Sequence, residues 1–165
     1  MKKFELTAEF VTNVFGKKLF RIKALVAFGD VEKGELGGFI EKEDNLSHDG
    51  NAWVSGTAQV SGNAQVSGNA RVSGTARVSG TAWVSGTARV SGDADYAVVA
   101  GFGRYFRTTT FFRCKDKILR VQCGCFYGDL AQFREIVKKT HGDSKYAKEY
   151  LAIADLMELH FSDEC

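Results

Sequence analysis

A six-residue unit, G-[N/T/D]-A-x-V-S, repeats without a break from Gly50 to Ser91. Valines stand at 54, 60, 66, 72, 78, 84 and 90, and alanines recur in the same steps from Ala52 to Ala94. A period of six cannot lay an apolar stripe along an α-helix, which needs 3.6. Alternation within the unit fits a short strand: Ala and Val are two apart and share a face, and the residue between them points away. The Ser-Gly that follows bends the chain, with Gly free to take φ > 0. Each hexad therefore reads as one short strand and one corner, and a run of them is expected to coil and bury small apolar residues along a thin axis. A disordered low-complexity tract has no reason to hold Val and Ala at fixed phase. An eighth unit, GDADYA from Gly92, degrades.

The unit V-S-G-T-A-R resembles the hexapeptide of left-handed β-helices: aliphatic, small, two free positions, small, free. That resemblance implies three hexads per coil, a left-handed solenoid, and a homo-oligomer, by analogy a trimer. Stacking every third hexad predicts outward columns Trp53–Arg71–Arg89, Gln59–Arg77–Asp95 and Gln65–Trp83. The first suits a cation–π stack. Tryptophans on a thin rod suggest a covered face, so Trp53, Arg71, Trp83 and Arg89 are the expected partner-binding residues; a solvated wall is the alternative. The segment GFIEKEDNL adds a further unit with Ile40 and Leu46 in the alanine phase.

Coil ends expose strand edges, so the flanks are expected to cap them. Residues 4–31 read as a hairpin, FELTAEFV and LFRIKAL with Gly16 at the turn. Residues 104–126 read as two strands, RYFRTTTFFRC and ILRVQCGCF. Two helices follow, at 129–140 and 144–160, with Asp129 as the first N-cap, Gly142 as the stop and Asp143 or Ser144 as the second cap. The expected fold class is mainly β with a small α+β tail: an N-terminal β cap (1–37), a single-stranded hexapeptide-repeat β-solenoid (38–103) and a ββαα module (104–165).

The stretches FGDVEKGELGGFIEKEDNLSHDGNAWVSG, RTTTFFRCKDK and CGCFYGDLAQFREIVKKTHGDSKYAKEYL, together with the repeats, resemble small solenoid proteins of bacteriophages and prophages, similar to the YdcK-type β-solenoid repeat proteins. The resemblance implies a mobile-element origin and leaves activity open.

Net charge is only +2, so the molecule as a whole is no generic polyanion binder. No apolar run is long enough for a membrane span. The opening MKKFELTAEF lacks the apolar core of a secretory signal, so a cytoplasmic protein of the host cell is expected, with its four cysteines reduced. Charge is nevertheless uneven. Arg104, Arg107, Arg113, Lys115, Lys117 and Arg120 lie in one stretch with a single acid, Asp116. Guanidinium forks, hydroxyls and aromatic rings suit a phosphorylated, stackable ligand. Arg104, Tyr105, Arg107, Thr108, Thr109, Thr110 and Arg113 are therefore the expected ligand-binding residues; a solvated basic strand is the alternative.

Cys114, Cys123 and Cys125 lack the spacing of a zinc site, and Cys123 and Cys125 read as buried strand thiols, so neither metal nor cofactor is expected. Left-handed β-helix acyltransferases use a histidine base. His48, His141 and His160 are the only histidines, and none lies in a loop projecting from the repeats. The expected function is a non-enzymatic binder: a phage anti-defence protein that sequesters an anionic, nucleotide-type host signal. The alternatives are a protein-binding inhibitor of a host defence complex, a hexapeptide-type acyltransferase, and a structural phage component.

Overall fold

The computed structural model describes residues 2–92 and 95–162. The chain divides into two compact units, 1–93 and 94–165.

In the first unit, β1 (Phe4–Thr12) and β2 (Lys18–Ala24) form an antiparallel hairpin. Gly16, with φ +78°, closes its turn. β3 (Leu36–Ile40) pairs antiparallel with β2. Seven two-residue strands follow: β4 (Trp53–Val54), β5 (Gln59–Val60), β6 (Gln65–Val66), β7 (Arg71–Val72), β8 (Arg77–Val78), β9 (Trp83–Val84) and β10 (Arg89–Val90). Each hexad thus supplies one strand, and each of β4 to β7 pairs in parallel with the strand three hexads on. Trp53 faces Arg71 and Arg71 faces Arg89; Gln59 faces Arg77; Gln65 faces Trp83. The seven repeat valines are fully buried, and Ala52 through Ala88 are buried with them. The sequence period fixes this core because Ala and Val share one strand face.

The expected fold class is corrected in three respects. The strands do not make one continuous single-stranded solenoid; they fall into several small sheets. The largest, β1-β2-β3-β5-β8, is mixed, and the others in this unit are the short β10-β7-β4 and β6-β9. The N-terminal hairpin is not a separate cap either. β3 carries the chain from the antiparallel hairpin into parallel pairing with β5, Phe39 facing Gln59 and Ile40 facing Val60, so hairpin and repeats share one sheet. Ile40 and Leu46 also stand in the valine phase, since Leu46 bridges to Val66. Ile40 and Leu46 are six apart, as Val60 and Val66 are, whereas Leu46 and Val54 are eight apart, so the two residues that shift the phase lie between Leu46 and Val54.

The third correction lies in the second unit, which has four strands before its helices rather than two. They are β11 (Tyr96–Phe102), β12 (Arg107–Arg113), β13 (Leu119–Cys123) and β14 (Phe126–Asp129), paired antiparallel in that order. The degraded eighth hexad conceals β11, and the run ILRVQCGCF breaks at Gly124 (φ +59°) into two strands. Helices α1 (Leu130–His141) and α2 (Lys145–His160) follow. The Asp129 side chain accepts from Gln132 N–H, Gly142 stops α1 at φ +57°, and Ser144 caps α2. Phe133 and Val137 of α1, and Tyr150, Ile153, Ala154 and Met157 of α2, pack on Phe111 and Val121 of the sheet.

Lys3 is buried in the first unit. Its Nζ donates to Ala52 O at 2.7 Å and lies 4.6 Å from the Phe28 ring centroid. Burial, then repulsion from Arg71, pushes its pKa down to about 8, against a weaker pull from Asp49. The unfolded chain holds this proton up to the ordinary 10.5. Unfolding free energy therefore rises with pH between those two values and loses the increment below about 8. Allowing for solvent screening, the increment is about 1–2 kcal/mol. Urea titrations at pH 8 and pH 10 should show it in the native protein and not in Lys3→Met.

Candidate ligand pocket

The second unit encloses a pocket of about 260 Å³ between the β11–β12 hairpin tip, the β13–β14 turn and helix α1. Arg104, Tyr105 and Arg107 line its charged side, and Phe126, Phe133, Ile136 and Val137 its apolar side. Cys123, Cys125, Thr140, His141 and Tyr150 complete the wall.

The tip is built to place its cations. Gly103 has φ +79°, and a Cβ there would fall 2.1 Å from Tyr150 Oη, so the tyrosine ring packs directly on the backbone. Tyr150 Oη donates to Phe102 O at 3.3 Å, and Gly103 N–H donates to Glu149 Oε2 at 2.9 Å. Two consecutive residues of α2 thereby clamp the backbone just before Arg104. Phe106 takes φ +53°, a left-handed conformation rare for a bulky side chain, of the kind found where surrounding structure imposes it. The guanidinium carbons of Arg104 and Arg107 lie 5.6 and 5.3 Å from the Tyr105 ring centroid, so both cations gather near one exposed aromatic ring.

The opposite wall is the β13–β14 turn. A Cβ on Gly124 would meet Arg107 Nη1 at 2.0 Å, so only glycine lets the guanidinium rest on the turn. Thr109 Oγ1 lies 3.2 Å from Cys123 Sγ. The His141 ring stacks on Tyr150 at 5.8 Å between centroids. Burial, then the neighbouring Cys123 thiol, pushes the Tyr150 pKa up to about 12, with Arg107 pulling the other way. Tyr150 therefore stays a neutral donor across the working range of pH.

Of the seven expected ligand residues, the structure gathers Arg104, Tyr105 and Arg107 on one pocket wall. The rest stand elsewhere. Thr109 and Thr110 are buried in β12, and Thr108 is half-buried beside them. Arg113 donates through Nη2 to Phe161 O at 3.2 Å, pairs through Nε with Asp95 at 3.4 Å and lies over the Phe161 ring. It holds the C-terminal end of α2 against the sheet. Arg113→Ala should therefore lower the stability of the second unit by about 1–2 kcal/mol in urea unfolding, with pocket affinity unchanged in the folded protein.

The four expected partner residues also separate. Trp53 is 1% exposed, under Gly37 and edge-on to Phe28 at 5.3 Å, because residues 28–37 cover the outward face of β4. Arg71 is held by Asp30, and burial followed by the charge of Arg89 lowers its pKa. Arg89 donates to Asn69 O at 2.9 Å. Trp83 alone of the two tryptophans reaches the surface, 40% exposed, with Nε1 donating to Ser67 Oγ at 2.9 Å.

His48 is engaged at both ring nitrogens. Nδ1 accepts from Lys3 N–H at 3.0 Å, which puts the proton on Nε2, 2.8 Å from Glu43 Oε1. The ring also stacks on Phe4 at 4.3 Å. That arrangement pins the N-terminal strand and leaves no free ring lone pair to act as a base.

Sequence reasoning missed the apolar half of the pocket. Cys125 read as a buried strand residue. Cys125 is in fact exposed at a turn, and Cys123 is half-buried at a strand end. The Gly between the two cysteines was the signal that a turn, not a strand, runs there. Among the described residues no group of three His, Cys, Asp or Glu side chains is placed to hold a metal ion. Among the described residues no helix is long and apolar enough to cross a membrane. The chain matches no protein-family model and no curated protein.

Proposed function

We propose that this protein is a non-catalytic binder that captures a small anionic molecule with a flat or apolar portion, of the single-nucleotide class. The observation that carries this reading is the gathering of Arg104, Arg107 and Tyr105 in one pocket with the apolar Phe126, Phe133, Ile136 and Val137. The guanidinium forks suit phosphate or carboxylate oxygens. Tyr105 and the floor suit a base or another ring. The volume of about 260 Å³ sits at the small end of ligand sites, which favours one nucleotide over a linked oligomer. Joined to the phage-like character of the sequence, the reading is an anti-defence protein that removes a host nucleotide signal from solution in the host cytosol.

The test is to incubate the purified protein with bacterial lysate, some of it from cells with activated nucleotide-signalling defences. The protein is then washed and heat-denatured, and the released small molecules are identified by mass spectrometry. A phosphorylated compound at one per chain supports the reading. An empty protein, also unresponsive to micromolar nucleotides in calorimetry, sinks it.

A second reading, capture of a host protein, is favoured by the exposed Trp83. On that reading Trp83→Ala abolishes partner capture and leaves small-molecule binding unchanged; on the first there is no partner capture to lose, and small-molecule binding is again unchanged.

A further inference from the structure

Cys123 and Cys125 line the same pocket and stand on either side of Gly124, at a two-residue turn in which Cys123 pairs with Phe126. Two residues of chain span at most ~7 Å even when extended, and a turn is shorter, so their Cα atoms fall within disulfide range. Their environments differ. Cys125 is exposed at the pocket mouth, whereas Cys123 is half-buried beneath it, with its Sγ 3.2 Å from Thr109 Oγ1. Arg107 rests on the turn between them, and Arg104 and His141 line the same cavity. Cys125 is thus open to an incoming reagent, and the guanidiniums beside it suit an anionic one. Neither thiol has a role in the ligand reading above, and Cys114, the other described cysteine, is buried.

We propose that Cys123 and Cys125 are a dithiol that closes to an intramolecular disulfide by exchange with an anionic low-molecular-weight disulfide such as glutathione disulfide. The Cys125 thiolate attacks one glutathione sulfur; a Cys125–glutathione bond forms and one glutathione thiolate leaves. The Cys123 thiolate then attacks the Cys125 sulfur, the second glutathione leaves, and the ring closes. Two protein thiols and one glutathione disulfide become one protein disulfide and two glutathione molecules, the two thiol protons passing to the departing thiolates. Arg104 and Arg107 recruit the carboxylates of the incoming disulfide. A ring this small is strained, which makes the bond readily reducible and the exchange reversible. Closure draws Cys123 Sγ from Thr109 and reshapes the turn on which Arg107 rests, so the redox state resets the pocket wall.

The test uses the full-length reduced protein, treated with glutathione disulfide, alkylated and digested. Cleavage after Arg120 and Arg134 releases residues 121–134, which carry both cysteines and no other. The expected peptide has lost two hydrogens and bears neither alkyl group nor glutathione. Cys123→Ser should stop with glutathione on Cys125, and Cys125→Ser should leave Cys123 reduced. Two alkyl groups on the native peptide, glutathione retained on Cys125, or bonding to Cys114 or Cys165 would each overturn the proposal. Recruitment is read by rate: Arg107→Gln should slow glutathione disulfide about 10-fold relative to the cationic disulfide cystamine. Equal rates with both reagents would refute it. Ring closure is read by mass with no ligand present, so it stands or fails separately from the nucleotide reading.

Discussion

Gly74→Ala will lower the unfolding free energy of the first unit by about 3–5 kcal/mol, whereas Gly80→Ala will cost about 1–2 kcal/mol. Both glycines occupy the same place in the hexad and both have positive φ, +60° and +68°. The conformational penalty of adding a Cβ in that region is therefore shared. What differs is the space above them. A Cβ on Gly74 would sit 2.5 Å from Ser91 O, a backbone atom of the next layer that cannot rotate away. A Cβ on Gly80 meets nothing within 4 Å. Relieving the first contact means pushing layers apart, and Ser73 N–H donates to Val90 O across that gap at 2.9 Å, so a ladder bond lengthens with it. Urea unfolding followed by circular dichroism measures both variants. Equal losses would mean that the corner conformation alone, and not the layer spacing, sets the requirement for glycine.

Arg107→Glu will weaken capture of the phosphorylated ligand at least ~100-fold, which corresponds to about 2.7 kcal/mol. The change removes one of the two guanidiniums close to Tyr105 and places a carboxylate where the ligand's anion must sit. Truncating one partner of a hydrogen-bonded charge pair costs about 2–5 kcal/mol, and like-charge juxtaposition adds to it. Arg107 is exposed and stands at the start of β12, so the fold should survive the change. Arg104→Glu should weaken binding to a similar degree. Calorimetric titration with the compound released from lysate gives the affinities, and thermal unfolding checks the fold. An unchanged affinity in both variants would remove this pocket as the site.

The hexad core was legible because a single rule, side-chain alternation within a two-residue strand, decides which residues are buried, and the repeat applies it seven times over. Val54 to Val90 follow it without exception. The helix caps were legible for a similar reason, since Asp129, Gly142 and Ser144 act on neighbours a few residues away. What was not legible depended on contacts distant in sequence. Trp53 is buried because residues 28–37 pass over it, and nothing in its own hexad distinguishes it from Trp83. The threonines at 108–110 looked like ligand hydroxyls, but β12 is an inner strand, with β11 on one side and β13 on the other, so Thr109 and Thr110 are buried. The pocket was half visible. Its cations lie together in sequence, while its floor is assembled from the start of β14 and helix α1.

Because the short strands pair at a spacing of eighteen residues, the length of the repeat tract is quantised. Losing one hexad keeps every Val and Ala in phase with its own strand, so the core accepts it. Yet every outward residue downstream then moves to the neighbouring face. Losing three restores all of them. Two tracts of equal hydrophobic quality can thus present different surfaces, and a lineage that gains or sheds repeats singly will scramble its exterior while its interior registers no change.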